Sequence, residues 1–195
     1  MSDDEGKHYR RQVFEAHSEI SALAERRDVR ALIALLHSPL ETESVSVRFA
    51  ALHHLGKIGA REAIPDIVPL VDDPDVAMRA GAVVALTRLD ARAEVRHVVR
   101  ALDDESGGVR QRAADGLATL GRDDPAAVPA LVRALDDDVW HVRRVTLATL
   151  ATLGDATAIP AIEASARRES FLRRRHSRRA LRVLRRPSAQ VNASR

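Results

Sequence analysis

Apolar residues recur three and four positions apart through most of this chain of 195 residues, and nowhere do they alternate strictly with polar ones. That period belongs to amphipathic helices and not to strands. Four stretches, VRFAALHHLGKIG, MRAGAVVALTRLD, VRQRAADGLATLG and VRRVTLATLATLG, share one template of apolar, arginine, then small and apolar residues. Their arginines are Arg48, Arg79, Arg110 and Arg143, spaced 31, 31 and 33 residues apart, and a leucine follows each one seven residues later (Leu55, Leu86, Leu117, Leu150). A period in that range marks an array of repeats. One further step of 31 reaches Arg174, where LRRRHSRRALRVL keeps the pattern. Upstream of each copy lies a second periodic segment: DVRALIALL, AIPDIVPLV, AEVRHVVRAL, AAVPALVRAL and AIPAIEASA. Each unit therefore reads as a pair of helices.

Start and stop signals agree with that reading. Asp and Pro cluster between the paired helices, in DDPD from Asp72 and DDDVW from Asp136. Gly59, Gly121 and Gly154 stand just past helix ends, where a left-handed cap suits glycine. Pro65, Pro129 and Pro160 fall near the starts of first helices, where a missing amide donor costs little. Pro69 lies deeper and cannot donate to the carbonyl of Pro65, which predicts a kink or a late helix start. In the first unit SPLETES adds four residues relative to the second, which predicts a longer surface loop. Residues 8–27 place Val13, Phe14, His17, Ile20 and Ala24 on one stripe and predict an N-terminal capping helix. The expected organisation is one domain over 8–186: the cap, then repeats at about 28–59, 60–90, 91–121, 122–154 and 155–186. Residues 1–7 and 187–195 are short, polar and aperiodic, and are expected to be disordered.

AIPDIVPLVDDPD and VRFAALHHLGKIG resemble the HEAT-like repeats first described in phycobilisome lyases, over about residues 28–186. The resemblance implies an all-α, right-handed superhelical solenoid of about five helix pairs, whose second helices line a concave binding face. It also implies a ladder in which the motif arginine meets an aspartate of the turn before the second helix. The residues in place for it are Asp73, Arg79, Asp104, Arg110, Asp137 and Arg143. Thr42 and Arg168 stand where units one and five would carry the aspartate, so the ladder is expected only in the middle of the array.

Composition narrows the chemistry. Only five residues are aromatic, so the core must be built from Ala, Leu, Val and Ile. A single helix pair cannot bury its apolar face, but stacked pairs share a core closed by polar ends. With no cysteine there is no disulfide, thiolate catalysis or thiolate metal site. The start of the chain is charged and unlike a signal peptide, and no apolar run approaches the roughly 20 residues that span a bilayer, so a cytoplasmic protein is expected. The net charge of +3 is unevenly placed: from Arg167 onward eleven arginines face one acid, a balance of +10, and the preceding residues balance at −7. Arg175, Arg178, Arg179, Arg182 and Arg186 are three or four apart on one stripe. Such a stripe suits phosphate or carboxylate pairs, and equally a charged cap that keeps the last repeat wet. The chain carries twenty-nine arginines against two lysines, so their clustering and not their number is the signal. Nucleic-acid contact there would be electrostatic and salt-dependent, because Phe171 alone is available for stacking on bases.

If the motif leucines point inward, the second helices present the residues one, five and nine places after each arginine. Phe49, His53, Lys57, Val84 and Arg88 then form a mixed apolar and basic groove suited to a peptide, continued by Gln111, Arg112, Asp115 and Arg144. Trp140 is expected to pack on the neighbouring unit, the alternative being an exposed anchor for a partner. Enzyme readings fare worse. Deoxyhypusine hydroxylase, a HEAT-like enzyme, uses His-Glu pairs in its second helices, and the equivalent places here hold Phe49-Ala50, Ala80-Gly81, Gln111-Arg112, Arg144-Val145 and Arg175-His176. The histidines show no i, i+4 metal spacing, no chromophore site is evident, and the aromatics that would cradle a base in a glycosylase are missing. No cofactor and no metal site are expected. The sequence points to a non-enzymatic scaffold for a protein partner. Two alternatives remain open: a nucleic-acid-associated protein using the arginine-rich end, and a lyase-like or regulatory subunit of an enzyme complex.

Overall fold

Small residues at every third or fourth place let helices come close, and each periodic segment does form a helix. The structure, a computed structural model, describes residues 15–38, 42–168 and 174–185. The expected tails, the start of the cap, Phe171 and Arg186 lie outside the described residues. Those residues divide into two compact units, parted in the chain between His97 and Val98. In the first, residues 15–25 form α1, followed by α2 (Val29–Leu36), α3 (Thr42–Ile58), α4 (Ile64–Ile67) and α5 (Val76–Arg88). In the second stand α7 (Gly107–Leu120), α8 (Ala127–Arg133), α9 (Trp140–Leu153), α10 (Ile159–Arg168) and α11 (Arg174–Leu184); α6 (Val95–Arg100) carries the point of division. No strand occurs among the described residues.

In the first unit α3 packs along α5 and against α2; in the second α9 lies between α7 and α11. Leu55, Leu86, Leu117 and Leu150 are all 0% exposed, and full burial of each contributes about 1.5–3 kcal/mol. Three places after the motif arginine stand Ala51, Ala82 and Ala113, also fully buried, with Thr146 in the same column of α9. The close approach this allows is visible between α3 and α5, where a Cβ on Gly56 would lie 3.2 Å from the Ala85 Cα. Between α9 and α7 the Thr149 hydroxyl donates to the Ala114 carbonyl at 2.7 Å, which fixes the register of the two helices.

Three local expectations need correction or refinement. The inserted residues of the first unit do not all lengthen a loop: α3 begins at Thr42, six residues before its motif arginine, whereas α5, α7 and α9 begin three before theirs. Part of SPLETES therefore adds a helical turn. At Pro69 the outcome is a change of helix type. The α-helix stops at Ile67 and a 3-10 helix runs from Val68 to Asp72, starting earlier in the repeat than the 3-10 turns Ala101–Asp103 and Ala134–Asp136 that end other first helices, because the missing amide cannot continue the ladder. Of the three expected glycine caps, Gly59 and Gly154 have φ of 74° and 75°, but Gly121 has φ −86°. Its reason is space: a Cβ there would sit 2.8 Å from the Leu117 carbonyl oxygen and 2.9 Å from the Ala127 Cβ.

Candidate functional site

The second helices α5, α7 and α9 each start at a turn built around one aspartate and closed by the motif arginine. Asp73, Asp104 and Asp137 each accept from the backbone N–H two residues on, at 2.9, 2.8 and 2.8 Å. The arginine six residues later folds back and donates through one nitrogen to two carbonyls of the same turn. Arg79 reaches Asp73 and Pro74 at 3.1 and 3.2 Å; Arg110 reaches Asp104 and Glu105 at 3.0 and 3.1 Å; Arg143 reaches Asp137 and Asp138 at 2.5 and 3.0 Å. Carbonyls that the helix start leaves without an intrahelical donor are thereby satisfied. The remaining guanidinium nitrogens of Arg110 link its repeat to the next, donating to both Asp137 oxygens at 2.7 and 3.0 Å.

Arg48 makes the equivalent link in the first unit, donating to Asp73 at 2.6 Å with both side chains about nineteen-twentieths buried. Its Nε reaches the Leu36 carbonyl at 2.9 Å. The ladder is thus not limited to units that own the turn aspartate, because the arginine pairs with the aspartate of the following turn. A second arginine series was not legible in the repeat template. Arg27 donates to the Ile58 carbonyl at 3.0 Å and Arg61 to the Leu89 carbonyl at 2.6 Å, so each caps the end of a second helix. Burial alone would push the Asp137 carboxyl up, but the hydrogen bonds from Arg110 and from the Val139 amide bring it below the usual carboxylate value. These groups are structural.

On the first unit's second helices, the expected partner-binding residues lie at the surface. Phe49 is exposed, yet one ring edge lies against Gly81, where a Cβ would come within 3.1 Å of it. His53, Lys57 and Arg88 are exposed and Val84 is half-buried. The His53 ring and the Arg88 guanidinium approach to 3.4 Å. Burial and then the Arg88 and Lys57 charges hold His53 below the ordinary histidine value; burial, His53, Lys57 and His17 do the same for His54. The face is cationic with a neutral imidazole at its centre.

In the second unit Arg112, Asp115 and Arg144 are exposed and Gln111 is half-buried. Trp140 is 49% exposed, so it does not serve chiefly as packing. The Arg144 guanidinium carbon stands 5.8 Å from its ring centroid, one helical turn on, and the His141 ring lies 3.6 Å away on its other neighbour.

The arginines of α11 separate into two sets. Arg175 and Arg179 occupy the same columns as Arg144 and Ala148. Arg178 and Arg182 occupy columns that in inner helices face the next repeat. Four places after the motif arginine stand Leu52, Val83, Ala114 and Leu147, all buried, whereas Arg178 in that column is exposed. Arg178 and Arg182 therefore close the edge of the α7–α9–α11 layer.

The large apolar side chains that the described residues leave exposed are Phe49 (40%), Val76 (47%), Trp140 (49%) and Val183 (43%). Counted from the motif arginine they stand at +1, −3, −3 and +9, which is one stripe of the second helices at four-residue steps. Val76 and Trp140 were missed by columns starting at +1. One more turn upstream would have found them. Elsewhere the depressions of the second unit include two of about 390 Å³ each, one lined by residues including Asp104, Arg110 and Asp137, the other by residues 121–125, Val128, Pro129, Leu153, Asp155 and Thr157. Among the described residues no three His, Cys, Asp or Glu side chains are grouped so as to hold a metal ion, and no helix is long and apolar enough to cross a membrane.

Paired helices with an arginine-closed turn before α5, α7 and α9 define an all-α helical-repeat protein. The family model for HEAT repeats matches residues 29–118 and 95–182, and the chain belongs to that family. Solved structures of similar fold include a computationally designed armadillo repeat protein for modular peptide recognition, 19% identical, with 93% of this chain and 94% of that one covered and a TM-score of 0.66. A designed armadillo repeat protein in complex with the peptide (KR)4 is 18% identical, with 94% and 95% covered and a TM-score of 0.66. The Escherichia coli protein YIBA is 15% identical, with 84% and 70% covered and a TM-score of 0.57. At these identities the likeness is one of fold. No curated protein gives a significant match.

Proposed function

We propose that this chain is a non-enzymatic scaffold that binds a protein partner through the exposed face of its second helices. The observation that carries the reading is the confinement of Phe49, Val76, Trp140 and Val183 to that face. Apolar side chains scattered over a surface need no explanation, but these share one stripe, and basic side chains flank them. The partner-binding set is Phe49, His53, Lys57, Val84 and Arg88 in the first unit and Gln111, Arg112, Asp115 and Arg144 in the second, within five repeats at the boundaries the sequence sets. The fold supports this, since a designed armadillo repeat protein of similar architecture holds a peptide. Replacing Phe49, Val84 and Arg88 together by Asp removes the nuclease-resistant protein partner captured from native cytoplasmic lysate, with the helical circular dichroism unchanged. Retention of the partner by a folded triple variant overturns the placement.

A second reading, nucleic-acid association, rests on the exposed arginines of α11. The edge position of Arg178 and Arg182 favours the cap role for those two. Arg175 and Arg179 remain as phosphate-binding candidates, and replacing both by Gln abolishes salt-sensitive oligonucleotide binding if this reading holds.

A further inference from the structure

Two arginines of the second unit are neutralised within the fold. Arg110 is held by Asp137 and Arg185 pairs with Glu163. On the exposed face of α7, α9 and α11 the pattern differs. Arg112, Arg144, Arg175 and Arg179 are all exposed there, and none forms an ion pair with a described residue. One acid, Asp115, stands among them. The chain is not short of carboxylates: residues before Arg167 carry a balance of −7, but many of those acids stand in the turns. Charge of one sign is therefore gathered on the face that also exposes the chain's single tryptophan.

We propose that this face takes an acidic protein segment with an apolar side chain set on Trp140 and carboxylates set on Arg144 and on Arg175 or Arg179. The inference rests on the scaffold reading and names the chemistry of its partner. Arg144 stands against the Trp140 ring, an arrangement that steadies a guanidinium and leaves its in-plane donors for a carboxylate. Packed helices lie about 8–10 Å apart, and an extended chain advances about 3.3 Å per residue. A segment crossing from α9 to α11 thus meets the next cation about three residues further on. The sign of the charge is opposite to that suited by the (KR)4 peptide held by the designed armadillo protein. Asp115 within the face, which has no Phe, Tyr or Trp besides Trp140 among the described residues, favours a protein over a nucleic acid, whose uniform phosphate charge would meet repulsion there.

Trp140 is the only tryptophan, so tryptophan emission of the full chain, excited beyond the tyrosine band, reads this site alone. Titration with a Leu-Glu-Glu repeat peptide shifts or quenches the emission, and a Leu-Lys-Lys repeat peptide does not. Arg144→Glu weakens the acidic peptide several-fold, and Asp115→Arg tightens it; the second variant tests the site by gain, so a misfolded first variant does not spare the proposal. Equal or better binding of the basic peptide overturns the charge inference and leaves the scaffold reading standing. Binding of a thymidine oligonucleotide with no response to either peptide overturns it in favour of the nucleic-acid reading. Unchanged affinity in both variants removes the site from this face.

Discussion

Arg48 and Asp73 show what one residue pair does in a repeat array. The two side chains are buried together, 6% and 5% exposed, and the Arg48 Nη1 has no partner among the described residues. Such a pair adds little over apolar residues of the same size, but removing one partner strands a buried charge. Asp73→Ala is accordingly expected to cost about 3–5 kcal/mol in chemical denaturation, and Arg48→Met with Asp73→Leu much less than either single change. His53 and His54 give a second residue-level test. Both are held below the ordinary histidine value, so the unfolded chain binds more protons and stability rises with pH across that interval. The stability these neutral imidazoles contribute is present above about pH 6.5 and is lost as the pH falls through their folded values. Thermal melting therefore shifts downward on acidification from neutral pH, before the carboxylates titrate, and His54→Gln flattens that slope.

At the scale of elements, the sequence was most informative where a residue type has one physical use. The period of the motif arginines and leucines placed the second helices, and the turn aspartates marked where α5, α7 and α9 start. It was least informative where one residue type has several uses. Glycine at 59, 121 and 154 reads alike in the sequence, but two positions need a positive φ and Gly121 needs the absence of a Cβ. Asp90 shows that the first requirement tolerates a non-glycine, at φ 47°. Gly154→Asn is thus expected to cost under about 1 kcal/mol, since asparagine visits the left-handed region readily, and Gly121→Asn about 1–3 kcal/mol by overpacking. Thermal unfolding of the two variants decides. The turn added to α3 reads as loop in the sequence because SPLETES contains proline and three small polar residues, and the helix that absorbs its end gains its support from packing against α2, which no local pattern carries.

Across the whole molecule, the repeat family and the all-α fold were legible because they depend on periodic burial, summed over many residues. The exposed face was legible only in part. Its columns follow from the helical period, but whether Trp140 lies over a neighbour or over solvent depends on the start of α9, and the α11 arginines divide by register against helices far away in sequence. We place the function on the exposed face of the second helices. The most direct measurement places a photo-crosslinking amino acid at Phe49 or Trp140, and at exposed first-helix positions Pro65 or Pro129, in the full chain in native lysate. Capture of the same nuclease-resistant protein from Phe49 and Trp140, with none from Pro65 or Pro129, is the predicted result; capture from the first helices alone, or capture that nuclease abolishes, contradicts the claim.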